Sequence, residues 1–95
     1  MKIIELDLTN CKYLYELHER IRIAFDFPEW YGKNWSAFWD LLWSECDADK
    51  VVIIGENTFP KDFNNAINTM HECLQRNSSF RSEHNLNTFS YEIIS

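Results

Sequence analysis

Val51-Val52-Ile53-Ile54 decides how this chain is read. Four consecutive β-branched residues favour an extended backbone, where the branched carbon packs well on a pleated surface. A run without polar alternation suits a central strand of a parallel sheet, covered on both faces. Two more stretches, one near each end of the chain, have strand character: Ile3-Ile4-Glu5-Leu6-Asp7-Leu8, which alternates from Ile4, and Phe89-Ser90-Tyr91-Glu92-Ile93-Ile94. The segments between them carry helical spacing. Strands at 2–8, 50–54 and 89–94 joined by helical crossovers must run parallel, with right-handed connections. The expectation is an α/β fold over residues 1–95 as a single domain: a three-stranded parallel sheet packed with three to four helices, one sheet face left partly open.

The helices follow from their apolar positions. Lys12 to about Asp26 carries Leu14, Leu17, Ile21 and Ala24 or Phe25 at three- and four-residue spacing, with Thr9-Asn10 offering an N-cap and Pro28 closing the helix. His18 reads as a surface position on it. Gly32-Lys33-Asn34 is a turn, and Asn34 caps a second helix from about Trp35 to Glu45. One stripe of that helix, Trp35, Phe38, Leu42 and Cys46, faces the core. The other, Ser36, Asp40, Trp43 and Asp47, faces solvent. Thr58, Pro60 and Asp62 open a third helix with Phe63, Ile67, Met70 and Leu74 buried. It is expected to end near Arg76-Asn77, with Asn77 to Thr88 a polar loop.

Composition narrows the function. The chain has 95 residues and a formal charge of −6. The window from Asp26 to Asp49 holds six acids and one base, a net −5, so nearly all of the charge sits in one place. Phosphates demand positive charge, so nucleic acid is not the expected partner. No run approaches the ~20 apolar residues of a membrane span, and the charged start Met1-Lys2-Ile3-Ile4-Glu5 does not read as a signal peptide. Three widely spaced cysteines (Cys11, Cys46, Cys73) fit reduced thiols, and so the cytoplasm, better than a disulfide framework. Two glycines cannot build a phosphate-binding loop, and neither HExxH nor CxxC occurs. His71 and Glu72 are neighbours on a helix and point in different directions; Cys73 is a nucleophile only with a histidine base beside it. No catalytic residue, metal or cofactor is expected.

The same acidic window holds all four tryptophans: Phe27-Pro28-Glu29-Trp30-Tyr31-Gly32-Lys33-Asn34-Trp35-Ser36-Ala37-Phe38-Trp39-Asp40-Leu41-Leu42-Trp43. They cannot all face inward. Aromatic rings left at a surface beside a carboxylate are the composition of a protein-binding patch, and the negative field favours a basic partner.

This loop and helix resemble the signature of the barstar family, the protein inhibitors of barnase-like ribonucleases, and the order of elements resembles it along nearly the whole chain. The resemblance implies a cytoplasmic bacterial immunity protein, monomeric when free, that plugs the active site of a basic ribonuclease toxin in a 1:1 complex. Carried over by position, Trp30 and Tyr31 resemble the paired aromatics that lie on the enzyme, and Gly32 and Asn34 the turn brought against it. Asp40 resembles the aspartate that occupies the substrate phosphate site, and Glu72, placed by counting back from the helix end, a further acid that reaches a basic residue. Ser36, Trp39, Trp43 and Asp47 complete the expected partner-binding set. Ser36 sits where the family's best-known member has a second aspartate, and Lys33 where it has an acid. Trp35 and Trp43 are bulkier than expected there. These departures point to a related ribonuclease with a differently charged rim rather than to barnase itself. The other reading is a barstar-like module for a non-nuclease basic partner.

Overall fold

The computed structural model describes residues 2–84 and 88–94. Strands β1 (Ile3–Asp7), β2 (Lys50–Ile54) and β3 (Ser90–Ile94) form one sheet in that spatial order, all parallel. Helices α1 (Leu14–Phe25) and α2 (Trp35–Ser44) connect β1 to β2. Two 3₁₀ turns, Glu56–Thr58 and Lys61–Phe63, lead into α3 (Asn64–Glu83), which connects β2 to β3. This is the expected parallel α/β architecture, with three α-helices.

The strand order explains where the core lies. Crossovers of one hand that step in one direction across a sheet all leave from the same face. Ile4, Leu6, Val51 and Ile53 are accordingly buried, while Ile3, Glu5 and Asp7 are exposed and Val52 and Ile54 half-buried. The β-branched run is therefore central but covered on one face only, not on both. Among the described residues the three helices lie on one side and no helix covers the other, where Lys50 pairs with Glu92 at 3.1 Å across β2 and β3.

Phe38 on α2 is fully buried and organises the helical layer. Phe25, Phe27 and Trp35 pack on it with ring centroids at 5.7, 6.3 and 5.6 Å. Gly55 ends β2 at φ 73°, and a Cβ there would meet the Thr9 backbone nitrogen at 2.7 Å. Both the left-handed conformation and the close approach of the β1–α1 turn require glycine.

Several expectations are corrected. Thr9-Asn10 turns the chain after β1 rather than capping α1. Tyr13 is the residue before α1, and the Glu16 carboxylate accepts from the Lys12 N–H at 3.0 Å. His18 is buried, 5% exposed. α3 does not stop near Asn77 but runs to Glu83. Asn77 is fully buried within it, and Arg81 is buried where the helix meets the α2–β2 connection, its guanidinium donating to the Ala48 carbonyl at 2.8 Å and to the Cys46 carbonyl. Most of the expected loop is thus helix, and its Asn85, Leu86 and Asn87 lie outside the described residues. Cys11, Cys46 and Cys73 are unpaired thiols. Among the described residues no helix is long and apolar enough to cross a membrane.

Candidate partner-binding surface

The loop between α1 and α2 is built by two inward rings and one outward ring. Asp26 takes the left-handed position after α1, and the Phe27 N–H donates back to the Arg22 carbonyl at 2.9 Å. Phe27 is buried. The Tyr31 N–H donates to the Pro28 carbonyl at 3.0 Å, closing a turn with Glu29 and Trp30 at its tip. Trp30 is 74% exposed. Tyr31, its neighbour, is 3% exposed, with its hydroxyl 2.7 Å from His18 Nδ1. Of the pair of aromatics expected to lie on the enzyme, Trp30 is thus at the surface and Tyr31 is buried. The Tyr31 ring packs beside Phe27 at 5.5 Å, and its hydroxyl finds in His18 the buried partner that a phenol needs.

Burial holds His18 down, to about 4, and Lys33 nearby acts in the same direction. Burial also pushes the Tyr31 phenol well above its usual range. Both groups are therefore neutral at pH 7, and the 2.7 Å contact is a hydrogen bond between two uncharged partners. His18 also packs on the Trp35 ring at 4.4 Å. This contact ties the loop, α1 and the start of α2 together.

Asn34 caps α2: its Oδ1 accepts from the Ala37 N–H at 2.8 Å, and its Nδ2 donates to the Gly32 carbonyl at 3.1 Å. A Cβ on Gly32 would lie 3.2 Å from that Nδ2 and 3.3 Å from the Ala37 Cβ, a tight fit against the cap. Lys33 adopts φ 52° and turns back onto α1. Its Nζ lies 3.2 Å from Glu19 and 4.3 Å from the centre of the Tyr15 ring. Arg22 and Lys33 together hold the Glu19 carboxyl down, to about 2. Lys33, the unexpected base in the acidic window, is thus spent inside the chain.

Beyond the loop, α2 and α3 lie side by side and locally parallel. Trp39 faces Arg76, whose guanidinium carbon is 4.2 Å from the ring centroid. Trp43, four residues on, faces Phe80 at 5.9 Å, also four residues on. Between the helices lies an open groove of about 290 Å³, lined on α2 by Trp35, Ser36, Trp39 and Asp40 and on α3 by Thr69, Glu72, Cys73 and Arg76. Two carboxylates that sequence reasoning placed by different routes, Asp40 and Glu72, therefore line one groove. Among the described residues neither is in an ion pair, and both are exposed. Burial raises the Cys73 thiol, which makes it a poor nucleophile.

Of the expected set, Ser36, Trp39, Asp40 and Glu72 come together in the groove. Trp43, 47% exposed, continues the same helix face. Trp30, Gly32 and Asn34 sit on the loop before it. Asp47 does not line the groove; its carboxylate meets Lys2 Nζ at 2.6 Å. His71 does not pair with Glu72 but with Glu56, at 2.7 Å. Sequence reasoning missed Arg76, which it took for the end of a helix. Its position four residues after Glu72 was the available signal, because that spacing puts both on one helix face. No group of three or more metal-ligating side chains occurs among the described residues.

Residues 1–90 match the family model described as "Barstar (barnase inhibitor)". Over 63 residues the chain is 29% identical to a protein of Bacillus subtilis (strain 168) named "Putative ribonuclease inhibitor YrdF", covering 66% of this chain and 69% of that protein.

Proposed function

This chain belongs to the barstar family, and from that premise we propose that it is a cytoplasmic immunity protein that inhibits a basic bacterial ribonuclease by occluding its active site. It acts as one domain over residues 1–95, in a 1:1 complex, and is a monomer when free. The observation that carries the reading is the groove in which Asp40 and Glu72 face solvent with no cation of the chain in an ion pair with either among the described residues.

A ribonuclease stabilises charge on a phosphoryl group with fixed cations. A carboxylate on a rigid helix, entering that pocket, takes the place of the phosphate. Asp40 has the rigidity: its helix is anchored by buried Phe38 before it and by buried Leu41 and Leu42 after it. Trp39 and Trp43 flank the carboxylate along the helix, and covering them on binding excludes water and strengthens the ion pair. Trp30 provides a further ring from the loop.

Inhibition titrations against purified barnase-type ribonucleases test this. The chain is expected to inhibit at least one of them in a 1:1 complex. Asp40→Ala should weaken that complex by about 2–5 kcal/mol with the melting temperature unchanged; this magnitude comes from charge pairs at the barnase–barstar interface rather than from this chain. Inhibition that survives Asp40→Ala at full strength would remove Asp40 from the site.

A further inference from the structure

We infer that Arg76 selects the partner: the ribonuclease that fits this groove carries a carboxylate on the rim of its basic active site, opposite the Arg76 guanidinium. This rests on the reading of the groove as the ribonuclease-binding surface. The groove presents two acids and one base, and the base is held apart from both acids. Glu72 precedes Arg76 by four residues on α3, the favourable spacing for a helical ion pair, and Asp40 lines the α2 wall. Arg76 forms an ion pair with neither among the described residues and lies over the Trp39 ring instead, 4.2 Å from its centre.

That stacking uses the flat face of the guanidinium. Its five N–H donors lie in the plane of the group and remain available at its edge. Paired donors in a plane match the two oxygens of a carboxylate.

A partner that closes the groove removes water from Arg76. A wholly basic rim would leave this charge desolvated and unpaired beside like charges, which is strongly unfavourable. A nucleic-acid phosphate chain would satisfy Arg76 but would meet Asp40 and Glu72 in the same groove, on a chain of net charge −6. A basic protein with one rim carboxylate satisfies all three groups. Arg76 then acts on specificity, rejecting barnase-type enzymes that lack that acid.

The test is a specificity crossover. Wild type, Arg76→Ala, Arg76→Glu and Asp40→Ala are titrated against a panel of purified barnase-type ribonucleases whose active-site rims carry or lack a carboxylate. Wild type should prefer the rim-acidic enzymes. Arg76→Ala should weaken those complexes at least about tenfold. Arg76→Glu should reverse the order and favour wholly basic rims, with its melting temperature close to wild type because the position is exposed. The same ranking for wild type and Arg76→Glu, with inhibition still dependent on Asp40, would overturn the role of Arg76 and leave the site standing. Inhibition of no panel member by wild type would overturn both.

Discussion

Trp30 and Tyr31 are adjacent in the sequence and have opposite fates, 74% and 3% exposed. Trp30 stands at the tip of the turn that the Tyr31 N–H closes, and Tyr31 points inward. Tyrosine can be buried where a hydrogen-bond partner waits, and His18 provides one at 2.7 Å. His18 itself lies four residues after Leu14 and three before Ile21, on the apolar face of α1. The spacing thus held its burial, and only the residue type argued for the surface. This buried neutral imidazole gives stability a pH dependence with a definite sign. Its value is about 4 in the folded chain against an ordinary 6.5. Above 6.5 it is neutral in both states and contributes nothing to the pH dependence. Between 6.5 and 4 the unfolded chain takes up a proton that the native site refuses, so stability falls as pH falls, by roughly 3 kcal/mol in all. Urea unfolding at a series of pH values should show that loss, and His18→Gln should lose correspondingly less over the same window. Equal pH dependence in the two proteins would mean that His18 is protonated as readily in the folded state as in the unfolded one.

Among the elements, α2 and α3 decide what the surface offers, and they were unequally legible. The Asn34 cap and the exposure of Ser36, Asp40, Trp43 and Asp47 could be read from local chemistry and period. The last two turns of α3 could not. Asn77-Ser78-Ser79 has poor helix propensity, and what carries the helix through it is tertiary: Phe80 against Trp43, and Arg81 held to two carbonyls before β2 and lying 5.1 Å from the centre of the Phe89 ring. Asn77 bears the cost. It is fully buried, and its amide has no hydrogen-bond partner among the described residues. Asn77→Leu, close in size and without polar atoms, is expected to raise stability by about 1–2 kcal/mol, measured by chemical denaturation, because it removes a buried unpaired amide. A loss of stability would show that the amide is satisfied in solution. The two tryptophans at the ends of α2 should separate stability from binding. Trp35 is half-buried against Phe38 and His18, and Trp35→Ala should cost about 3 kcal/mol of stability, the low end for an aromatic truncation. Trp43→Ala should cost under about 1 kcal/mol of stability while weakening ribonuclease inhibition. The reverse pattern would turn the binding face of α2 toward Trp35, by about a quarter turn of the helix.

At the scale of the whole molecule, the one-sided sheet gives two unlike surfaces. All three helices lie on one face of it, and the groove lies between two of them. The acidic window of Asp26 to Asp49 runs through the loop and α2 to the start of β2. Folding adjusts its charge at Lys33, which pairs with Glu19 outside the window, and at its far end. Lys2 reaches Asp47 through Nζ at 2.6 Å and Asp49 through its backbone N–H at 2.8 Å, while Asp26, Glu29, Asp40 and Glu45 stay exposed. The radius of gyration is 12.6 Å, comparable with the Debye length of ~10 Å at 0.1 M salt. Charges on the far side are therefore screened from an approaching enzyme, and those around the groove are not. A basic ribonuclease should associate rapidly at low salt and progressively more slowly as salt rises, while dissociation responds little, because the contacts broken on leaving are shielded from solvent ions. Neutralising the exposed Glu29 and Glu45 together, as Glu29→Gln with Glu45→Gln, should slow association and leave dissociation nearly unchanged, since both lie outside the groove between Asp40 and Glu72. Stopped-flow kinetics across a salt series measure both rates. An association rate indifferent to salt, in a complex that still forms, would mean that the acidic window is solvated surface and that the partner is recognised by shape and the aromatic rings alone.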